Sequence, residues 1–275
     1  MQKCNLGSMV VMAAALAIPI GVFAQSSVKV GAGAAQNVPD LSGSWEARPN
    51  GPRTAETALC GIQEVCDALL GLKRPAPAQR PEEPPMQPWA AEKYKANREG
   101  ITNPNFARQD LDPEFSGCMP QGPTGIMLDF RYAFDLRQFP DEVLLLSDDD
   151  HWVRRIYMDG RGHPDKYPPT WMGHSVGKYE GDALVVDTIG INDKSWIDLQ
   201  GHPHSDALHL VERFRRVDHN SLEYEVTIDD PKAYTKPWTK KAMRDLSPPG
   251  PRLWEEVICE ELLQVGTHYS TESKK

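Results

Sequence analysis

The segment LHLVERFRRVDHNSLEYEVTI, residues 208–228, decides the fold class, because two alternating runs flank a polar turn within it. In the second run, residues 222–228, apolar side chains take every even position and polar side chains every odd one. This period of two is typical of a β-strand with one buried and one solvated face. Between the runs, Val217-Asp-His-Asn220 has the composition of a hairpin turn. The segment therefore predicts a β-hairpin.

Short strands of the same kind lie on both sides of this hairpin, separated by Gly, Pro and Asp turns. They predict a mainly β protein built as an antiparallel up-and-down meander. A meander removes its exposed edges by closing into a β-barrel or stacking as a sandwich, so we expect one of these two folds. The predicted strands are 130–137, 142–147, 152–158, 174–179, 183–189, 208–217, 222–228 and 253–259.

The first strand of the hairpin carries one charged side chain on its apolar face. Leu208, Leu210 and Phe214 define that face, and Glu212 lies on it. A buried carboxylate is unfavourable unless it is paired or protonated. In one interpretation Glu212 forms a structural ion pair with an inward Arg154. In the other, both line a cavity and bind or activate a polar ligand group, because perturbed carboxylates in cavities are frequent acids or bases.

Residues 159–213 hold five of the eight histidines, together with Gly, Trp and carboxylates, a mixture that no hydrophobic core requires. We interpret this stretch as the rim and floor of a ligand site. His174 and His204 are predicted to exchange protons with the ligand, since an imidazole titrating near pH ~6.5 serves both directions of transfer. Glu212 is the third catalytic candidate. An aspartate is expected to orient the histidine ring, and the candidates are Asp193, Asp198 and Asp206.

Aromatic and polar side chains near the histidines suit a small-molecule pocket, in which aromatic walls hold a few fixed polar groups. Trp45 and Trp152 are instead expected to fill the ends of the barrel. The predicted ligand-binding residues are Arg154, Tyr157, Arg161, His163, Trp171, Trp196, Tyr234 and Trp238.

His202-Pro-His204 raises the alternative of a metal site. In an extended segment the two imidazoles lie on one side, and His174 would complete a three-ligand site with one open position, as in catalytic zinc sites. His163 or Asp206 could supply the third ligand in its place. The same spacing is common in sequences that bind no metal, so no cofactor is favoured, and zinc or another divalent metal is the alternative.

The N-terminal half has a different character. Residues 1–24 have the basic start, apolar stretch and small-residue end of a cleaved signal peptide, which predicts a periplasmic or secreted protein. A flexible linker is expected at 25–37, one barrel domain at 38–262 and a disordered tail at 263–275. Within the domain, the proline-rich residues 50–123 are expected to form a partly helical arm or lid, with helices at 56–72 and 90–97.

Four cysteines remain after the signal peptide. In an oxidising compartment they allow two disulfides, with unpaired buried thiols as the alternative. The most local pairing is Cys60 with Cys66, which leaves Cys118 with Cys259.

Composition and motifs exclude several classes of function. The formal charge of −9 argues against a nucleic-acid partner, which requires a clustered basic surface. After the signal peptide no apolar run is long enough to span a membrane. Gly173-His-Ser-Val-Gly177 has the spacing of a nucleophile elbow, but a β-hairpin follows it where the elbow requires a helix. There is no P-loop and no GxGxxG motif for a nucleotide.

Three further runs carry a resemblance: RRIYMDGRGHP at 154–164, the stretch from PTWMG to FRR at 169–216, and VTIDDPKAYTKPWT at 226–239. They are similar to a family of exported bacterial proteins with no assigned activity, over roughly residues 38–262. Gly43-Ser-Trp45 also resembles the opening of lipocalin-like (calycin) barrels. The resemblance implies a lipocalin-like β-barrel, and the many copies of such proteins in organisms that degrade unusual organic compounds imply a catabolic enzyme or a binding protein.

Two functions follow from these observations. The first is a cofactor-independent lyase, isomerase or hydrolase that uses histidine and carboxylate acid–base chemistry in a barrel cavity. The second is a non-catalytic protein that binds a small hydrophobic or aromatic ligand. The concentration of ionisable groups among aromatic residues favours the enzyme.

Overall fold

In the computed structural model, residues 38–48, 83–102, 118–128, 133–248 and 258 are described here. All of them belong to one compact unit, Asn37–Lys275. The elements are β1 (Gly43–Ala47), α1 (Pro88–Thr102), α2 (Gly122–Leu128), β2 (Phe134–Gln138), β3 (Glu142–Ser147), β4 (Val153–Tyr157), β5 (His174–Glu180), β6 (Ala183–Ile189), β7 (His209–Asp218), β8 (Ser221–Asp229) and β9 (Trp238–Leu246).

The strands close into one barrel in sequence order, because β9 pairs back onto β1. All neighbouring strands are antiparallel except β4 and β5, which run parallel through the pairs Ile156↔Ser175 and Tyr157↔Val176. A ring of nine strands cannot alternate direction throughout, since nine is odd. The mainly β closed barrel is thus confirmed, and the prediction of an all-antiparallel meander is wrong at this one pair.

The parallel pairing of β4 and β5 determines the kind of connection between them. Parallel neighbours need a crossover, because a tight turn joins only antiparallel strands. Residues 158–173 form this crossover, and they carry His163 and Tyr167. The histidine-rich stretch of the sequence therefore begins in a segment that the barrel closure requires.

Most predicted strands are found within a residue or two of their expected ends. The strands at 142–147 and 183–189 are confirmed as β3 and β6. The strand β9 was not predicted, because Lys240, Lys241 and Arg244 interrupt its apolar pattern. The predicted strand at 253–259 lies outside the described residues apart from Ile258, and so do residues 130–132 of the first predicted strand.

The barrel interior is filled by the inward residues of the strands. On β7, Leu210, Glu212 and Phe214 are all fully buried, and their partners on β8 include Val226 and Tyr224. The register predicted for Glu212 is therefore confirmed. Each large apolar side chain buried in this way contributes about 1.5–3 kcal/mol relative to exposure.

Trp45 is fully buried, as expected, and it anchors β1. Its indole Nε1 donates a hydrogen bond to the carbonyl oxygen of Leu41 at 2.9 Å. The guanidinium carbon of Arg216 lies 5.1 Å from the ring centroid, within the range of a cation–π contact. Trp152 is half-buried, and its place at a barrel end stays a prediction.

The helix predicted at 90–97 is confirmed as part of α1. Pro88 is its first residue, where a missing N–H and a fixed φ suit a helix start. Ala90 and Asn97 are fully buried and Tyr94 half-buried, at helical spacing along one face. The preceding segment is held by an isolated bridge between Met86 and Tyr234.

Several expectations concern residues outside the described part of the chain. These are the signal peptide 1–24, the linker 25–37, the helix at 56–72, most of the arm 50–123, the tail 263–275, and the cysteines Cys60, Cys66 and Cys259. The disulfide pairings therefore stay predictions. Among the described helices, none combines the length and the apolar character that crossing a bilayer needs.

Candidate functional site

Two groups of polar side chains lie back to back on opposite faces of β5 and β6. Successive residues of a strand point to opposite faces, so His174 faces outward beside the inward Ser175, and Asp187 faces outward beside the inward Thr188. Ser175 and Thr188 are partners across the two strands. We call the inner group, Arg154, Ser175, Thr188, Glu212 and Tyr224, the interior network. We call the outer group, His163, His174, Asp187 and His209, the imidazole cluster.

The interior network is centred on an ion pair between Arg154 and Glu212, both with no exposed side-chain area. Arg154 Nη1 donates to Glu212 Oε1 at 2.8 Å, and Nη2 donates to Oε2 to complete a two-point contact. Ser175 Oγ and Thr188 Oγ1 accept from Arg154 Nη2 at 3.1 and 2.9 Å. The hydroxyl of Tyr224 donates to Glu212 Oε1 at 2.9 Å. These contacts satisfy the charged atoms of both partners.

The burial of the interior network changes the pKa values of Tyr224 and Arg154. Burial raises the pKa of Tyr224 well above its ordinary value, and the charge of Glu212 beside it acts in the same direction. Burial alone would lower the pKa of Arg154, but Glu212 raises it above the ordinary value. The ion pair expected between Glu212 and an inward Arg154 is thus found. The catalytic role of Glu212 and the ligand-binding role of Arg154 stay predictions. Neither side chain has any exposed surface.

The imidazole cluster lies on the outer face of β5, β6 and β7, beneath the crossover. His163 Nδ1 lies 2.8 Å from His174 Nδ1, and His163 Nε2 lies 2.9 Å from Asp187 Oδ1. His209 Nε2 lies 3.0 Å from the same carboxylate oxygen. The side chain of Asp187 is 44% exposed and that of His163 is 20% exposed. The cluster is therefore open to solvent at Asp187 and sheltered at His174.

The hydrogen bonds assign the ring tautomers. Because a carboxylate only accepts, His163 Nε2 carries a hydrogen towards Asp187. A neutral His163 then has a bare Nδ1, which accepts from Nδ1–H of His174. A neutral His174 consequently presents a bare Nε2, and no residue in the described ranges hydrogen-bonds to that nitrogen. The network leaves the lone pair of one imidazole available to a ligand.

Aromatic rings enclose His174 and keep it neutral. The rings of Tyr167 and Tyr157 have centroids 5.2 and 5.3 Å from that of His174. The guanidinium carbon of Arg161 lies 3.9 Å from the Tyr157 ring centroid. Burial first, then His163 and Arg161, lower the pKa of His174. The ring is therefore in its basic, unprotonated form at neutral pH.

Four of the predicted site residues meet at this cluster: Tyr157, Arg161, His163 and His174. Sequence reasoning missed Asp187, although the alternation of strand 183–189 places it on the outer face. It also did not select His209 and Tyr167. No sequence signal connects Tyr167 to His174, because their contact depends on the path of the crossover.

A second group, which we call the aromatic cluster, consists of Tyr94, His202, Tyr234 and Trp238. His202 stacks on Tyr94 with ring centroids 4.4 Å apart, and its Nδ1 lies 2.9 Å from each carboxylate oxygen of Asp198. Burial alone would raise the pKa of Asp198, but His202 and an ion pair with Lys240 lower it. Two of the predicted ligand-binding residues, Tyr234 and Trp238, therefore meet here.

Two buried polar atoms in and beside the aromatic cluster have no partner among the described residues. Trp238 Nε1 has no hydrogen-bond acceptor there, and Oδ1 of the neighbouring Asn97 has no donor. The other end of the Asn97 amide is bonded, since Nδ2 donates to the carbonyl oxygen of Gly201 at 2.8 Å. Burial raises the pKa of Tyr234, whose hydroxyl donates to Pro203 at 2.7 Å. An unpaired donor and an unpaired acceptor thus lie close to His202.

The four histidines considered for a metal lie in three separate hydrogen-bond networks. His163 and His174 contact each other, His202 contacts Asp198, and His204 contacts Ser195. In the part of the chain that the structure describes, no group of three or more His, Cys, Asp or Glu has a metal-holding arrangement. Among the described residues the candidate ligands are therefore not brought together, and the cofactor interpretation, none favoured with zinc or another divalent metal as the alternative, stays a prediction.

The remaining predicted residues, Asp193, Trp171 and Trp196, are not among the residues of the imidazole cluster or the aromatic cluster. Asp193 is exposed and acts on the ring of His204 only through its charge, while Trp171 and Trp196 are half-buried. Lys194 Nζ lies 6.0 Å from the Trp171 ring centroid.

No protein-family model matches this chain, and no curated protein or solved structure matches it either. The assignment of a site therefore depends on the geometry described above.

Proposed function

We propose that the protein is an exported small-molecule enzyme that transfers protons at the imidazole cluster, with His174 as the general base. The observation that carries this proposal is the chain of contacts from Asp187 through His163 to His174, which leaves Nε2 of His174 bare. A neutral imidazole with a free lone pair, beside aromatic rings, has the properties of a general base.

The chemistry follows from the same contacts. His174 Nε2 accepts a proton from a C–H or O–H group of the substrate. The resulting imidazolium donates from Nδ1 to His163, and Asp187 stabilises the positive charge of the pair. In this proposal Tyr157 holds an aromatic part of the substrate, and Arg161, which also pairs with Asp159, holds an anionic part. The reaction classes that need such a base are lyases, isomerases and hydrolases, and the proposal requires no cofactor.

The barrel then acts as a support. Because the interior-facing side chains fill the lumen of the described barrel, we place the chemistry on its outer face and not in a central cavity. The interior network fixes β5 and β6 directly behind His174 and Asp187. Three further parts of the proposal come from the sequence. A lipocalin-like barrel is what the resemblance implies, an arm or lid at 50–123 is what the proline-rich composition predicts, and export is what the signal-peptide pattern of residues 1–24 predicts.

The test is proton exchange in D₂O, followed by NMR on a panel of small 2-oxo acids and aryl ketones. We expect the wild-type protein to exchange the α-hydrogen of at least one compound, and His174→Gln to slow this by about 10²–10⁴-fold. His219→Gln, at an exposed hairpin turn, is the matched control and keeps the wild-type rate. Equal rates for His174→Gln and wild type would exclude His174 as the base.

A second candidate function is ligand binding at the aromatic cluster. It is favoured by the unpaired Trp238 Nε1 and Asn97 Oδ1, which a ligand with one acceptor and one donor would satisfy. If no compound is turned over, quenching of tryptophan fluorescence by small phenols and aromatic amides tests this function. Binding should be lost in Trp238→Phe, which keeps an aromatic ring but removes the N–H donor, and kept in Trp89→Phe at the exposed start of α1.

A further inference from the structure

Ser195 and His204 form a hydrogen-bonded pair that the proposed function does not use. Ser195 Oγ lies 3.1 Å from His204 Nε2. The other ring nitrogen, Nδ1, lies 3.1 Å from the carbonyl oxygen of Ser205. A carbonyl only accepts, so Nδ1 carries the hydrogen, and in a neutral ring Nε2 is the acceptor. The hydroxyl of Ser195 therefore donates its proton towards a base.

The ring of His204 is kept neutral by its surroundings. Burial is the largest effect and lowers the pKa of His204, although the contact with Ser205 and the charges of Asp230 and Asp193 act in the opposite direction. A serine hydroxyl that donates to the basic nitrogen of an imidazole with a fixed tautomer is the arrangement that nucleophilic serine catalysis uses.

Asp230 holds the carbonyl that fixes this tautomer. Its Oδ2 accepts from the backbone N–H of Ser205 at 2.6 Å, and its Oδ1 accepts from the Ser205 hydroxyl at 2.7 Å. Asp230 is itself 1% exposed and also accepts from the backbone N–H groups of Lys232 and Ala233. The peptide next to His204 is therefore held by a buried carboxylate, and Asp230 is a positioning residue.

We propose that Ser195 and His204 form a second, nucleophilic site on this protein, which takes small acyl esters. The two residues are independent of the imidazole cluster, so the proposal stands whether or not His174 is a base. It also differs from the elbow-like Gly173–Gly177 sequence, whose Ser175 donates or accepts only within the interior network.

The reaction is a two-step acyl transfer. Ser195 Oγ forms a bond to the carbonyl carbon of the ester while its proton moves to His204 Nε2. The adduct expels the alcohol, which takes that proton from the imidazole. Water then attacks the acyl-serine, losing a proton to His204, and the proton returns to Ser195 Oγ as the carboxylic acid leaves. No metal, redox partner or other co-reactant is needed.

The surroundings of Ser195 restrict the acyl group to a small one. Ser195 is 7% exposed and His204 4% exposed. Gly122, at a φ of +78°, approaches the hydroxyl so closely that a Cβ there would lie 3.0 Å from Oγ. A side chain at position 122 would therefore crowd the nucleophile. An acetyl-sized group is the expected substrate class.

The test uses methanesulfonyl fluoride, a small reagent that sulfonylates activated serines with loss of fluoride. We expect peptide mass spectrometry of the full-length protein to find the label on Ser195 and not on the more accessible Ser42. In His204→Gln the labelling rate should fall by about 100-fold or more. Absence of label on Ser195, or an equal rate in a folded His204→Gln protein, overturns the proposal.

A second variant keeps the proposal testable if His204→Gln does not fold. Ser195→Cys retains His204 and places a thiol at the same nitrogen, which favours the thiolate. Iodoacetamide at pH 6 should alkylate this cysteine at least about tenfold faster than free cysteine. Alkylation slower than free cysteine overturns the proposal. Labelling of Ser195 in His174→Gln at the wild-type rate separates this site from the proposed acid–base activity.

Discussion

The interior network and the imidazole cluster use the same two strands, yet they differ in how completely the protein satisfies them. Inside, Arg154 and Glu212 have all their charged atoms bonded and no exposed surface. Outside, His174 keeps one ring nitrogen without a protein partner among the described residues, and Asp187 is nearly half exposed. Ionisable groups of similar kind thus serve stability on one face and are available for chemistry on the other.

The comparison shows why burial alone does not identify a functional carboxylate. Glu212 is the most deeply buried carboxylate candidate from the sequence, and both of its oxygens are bonded, to Arg154 and Tyr224. Asp187 is exposed on the outer face, yet it is bonded to two imidazoles. An unsatisfied ring nitrogen at the end of a hydrogen-bonded chain is the better indicator of a reactive site.

The largest expected effect is on the interior network. Arg154→Met leaves Glu212 buried without its cation, which should lower the free energy of unfolding by about 3–5 kcal/mol. The matched control is Arg155→Met on the same strand, whose Nε lies 2.7 Å from Glu142 but whose side chain is 55% exposed. That change should remain within about 1 kcal/mol. Urea denaturation followed by circular dichroism measures both, and similar values for the two variants would remove the distinction between the faces.

The next effect concerns the outer carboxylate. Asp187→Asn removes the charge that stabilises the His163–His174 pair when it is protonated. We expect the exchange rate in D₂O to fall about tenfold, equivalent to about 1.4 kcal/mol of transition-state free energy. Asp182→Asn, in the exposed β5–β6 turn, is the control and should leave the rate unchanged. A wild-type rate in Asp187→Asn would show that His174 acts without the contacts that link it through His163 to Asp187.

A smaller effect is expected in the titration of His174, followed by NMR of its ring. Its pKa lies below the ordinary value near 6.5, because of burial, His163 and Arg161. His163→Gln should therefore raise the pKa, and Arg161→Gln should raise it by less. The folded state binds fewer protons than the unfolded state in this window. The contribution of His174 to stability is thus present above about pH 6.5 and is lost as the pH falls towards the lowered pKa. A downward shift in His163→Gln would contradict this assignment.

The smallest effect is expected for His209. Its side chain is 37% exposed, and its contact with Asp187 duplicates the one from His163. His209→Gln should change stability by less than about 0.5 kcal/mol and leave the tautomer of His174 as it is. Long-range ¹H–¹⁵N correlation spectra report that tautomer directly. If the hydrogen of the neutral His174 ring were on Nε2 in this variant, the tautomer of His174 would be set by His209 and not by His163.

Most strands of the barrel could be predicted from the sequence, but the pairing of the last strand, β9, with β1 could not. Strands β3 and β6 were predicted at their observed ends, because short apolar runs there are bounded by turn residues, Pro140-Asp141 before β3 and Gly181-Asp182 before β6. Strand β9 was missed, since Lys240 and Arg244 occupy positions where an apolar residue was expected. Arg244 is nevertheless buried and donates to the carbonyl oxygen of Met127 at 2.6 Å. Only the tertiary structure supplies such a partner.

The candidate site shows the same division. His174, His163, Tyr157 and Arg161 could be selected from the sequence as ionisable and aromatic residues without a core role. Their separation from His202 and His204 could not, because the partners of each histidine are set by the tertiary structure: His174 begins β5, whereas His202 and His204 share the β6–β7 connection and still contact different partners. Ser195 was not selected, since nothing in the sequence marks it as the neighbour of His204.

By itself the sequence determined a mainly β protein, the hairpin at 208–228 and the inward position of Glu212. These follow from the period of two, which is a local property of a strand. The tertiary structure alone decided the parallel pairing of β4 with β5, the path of the crossover and the partners of each histidine. Those contacts join segments that are distant in the chain, so their geometry is set by closure of the barrel and not by any local pattern.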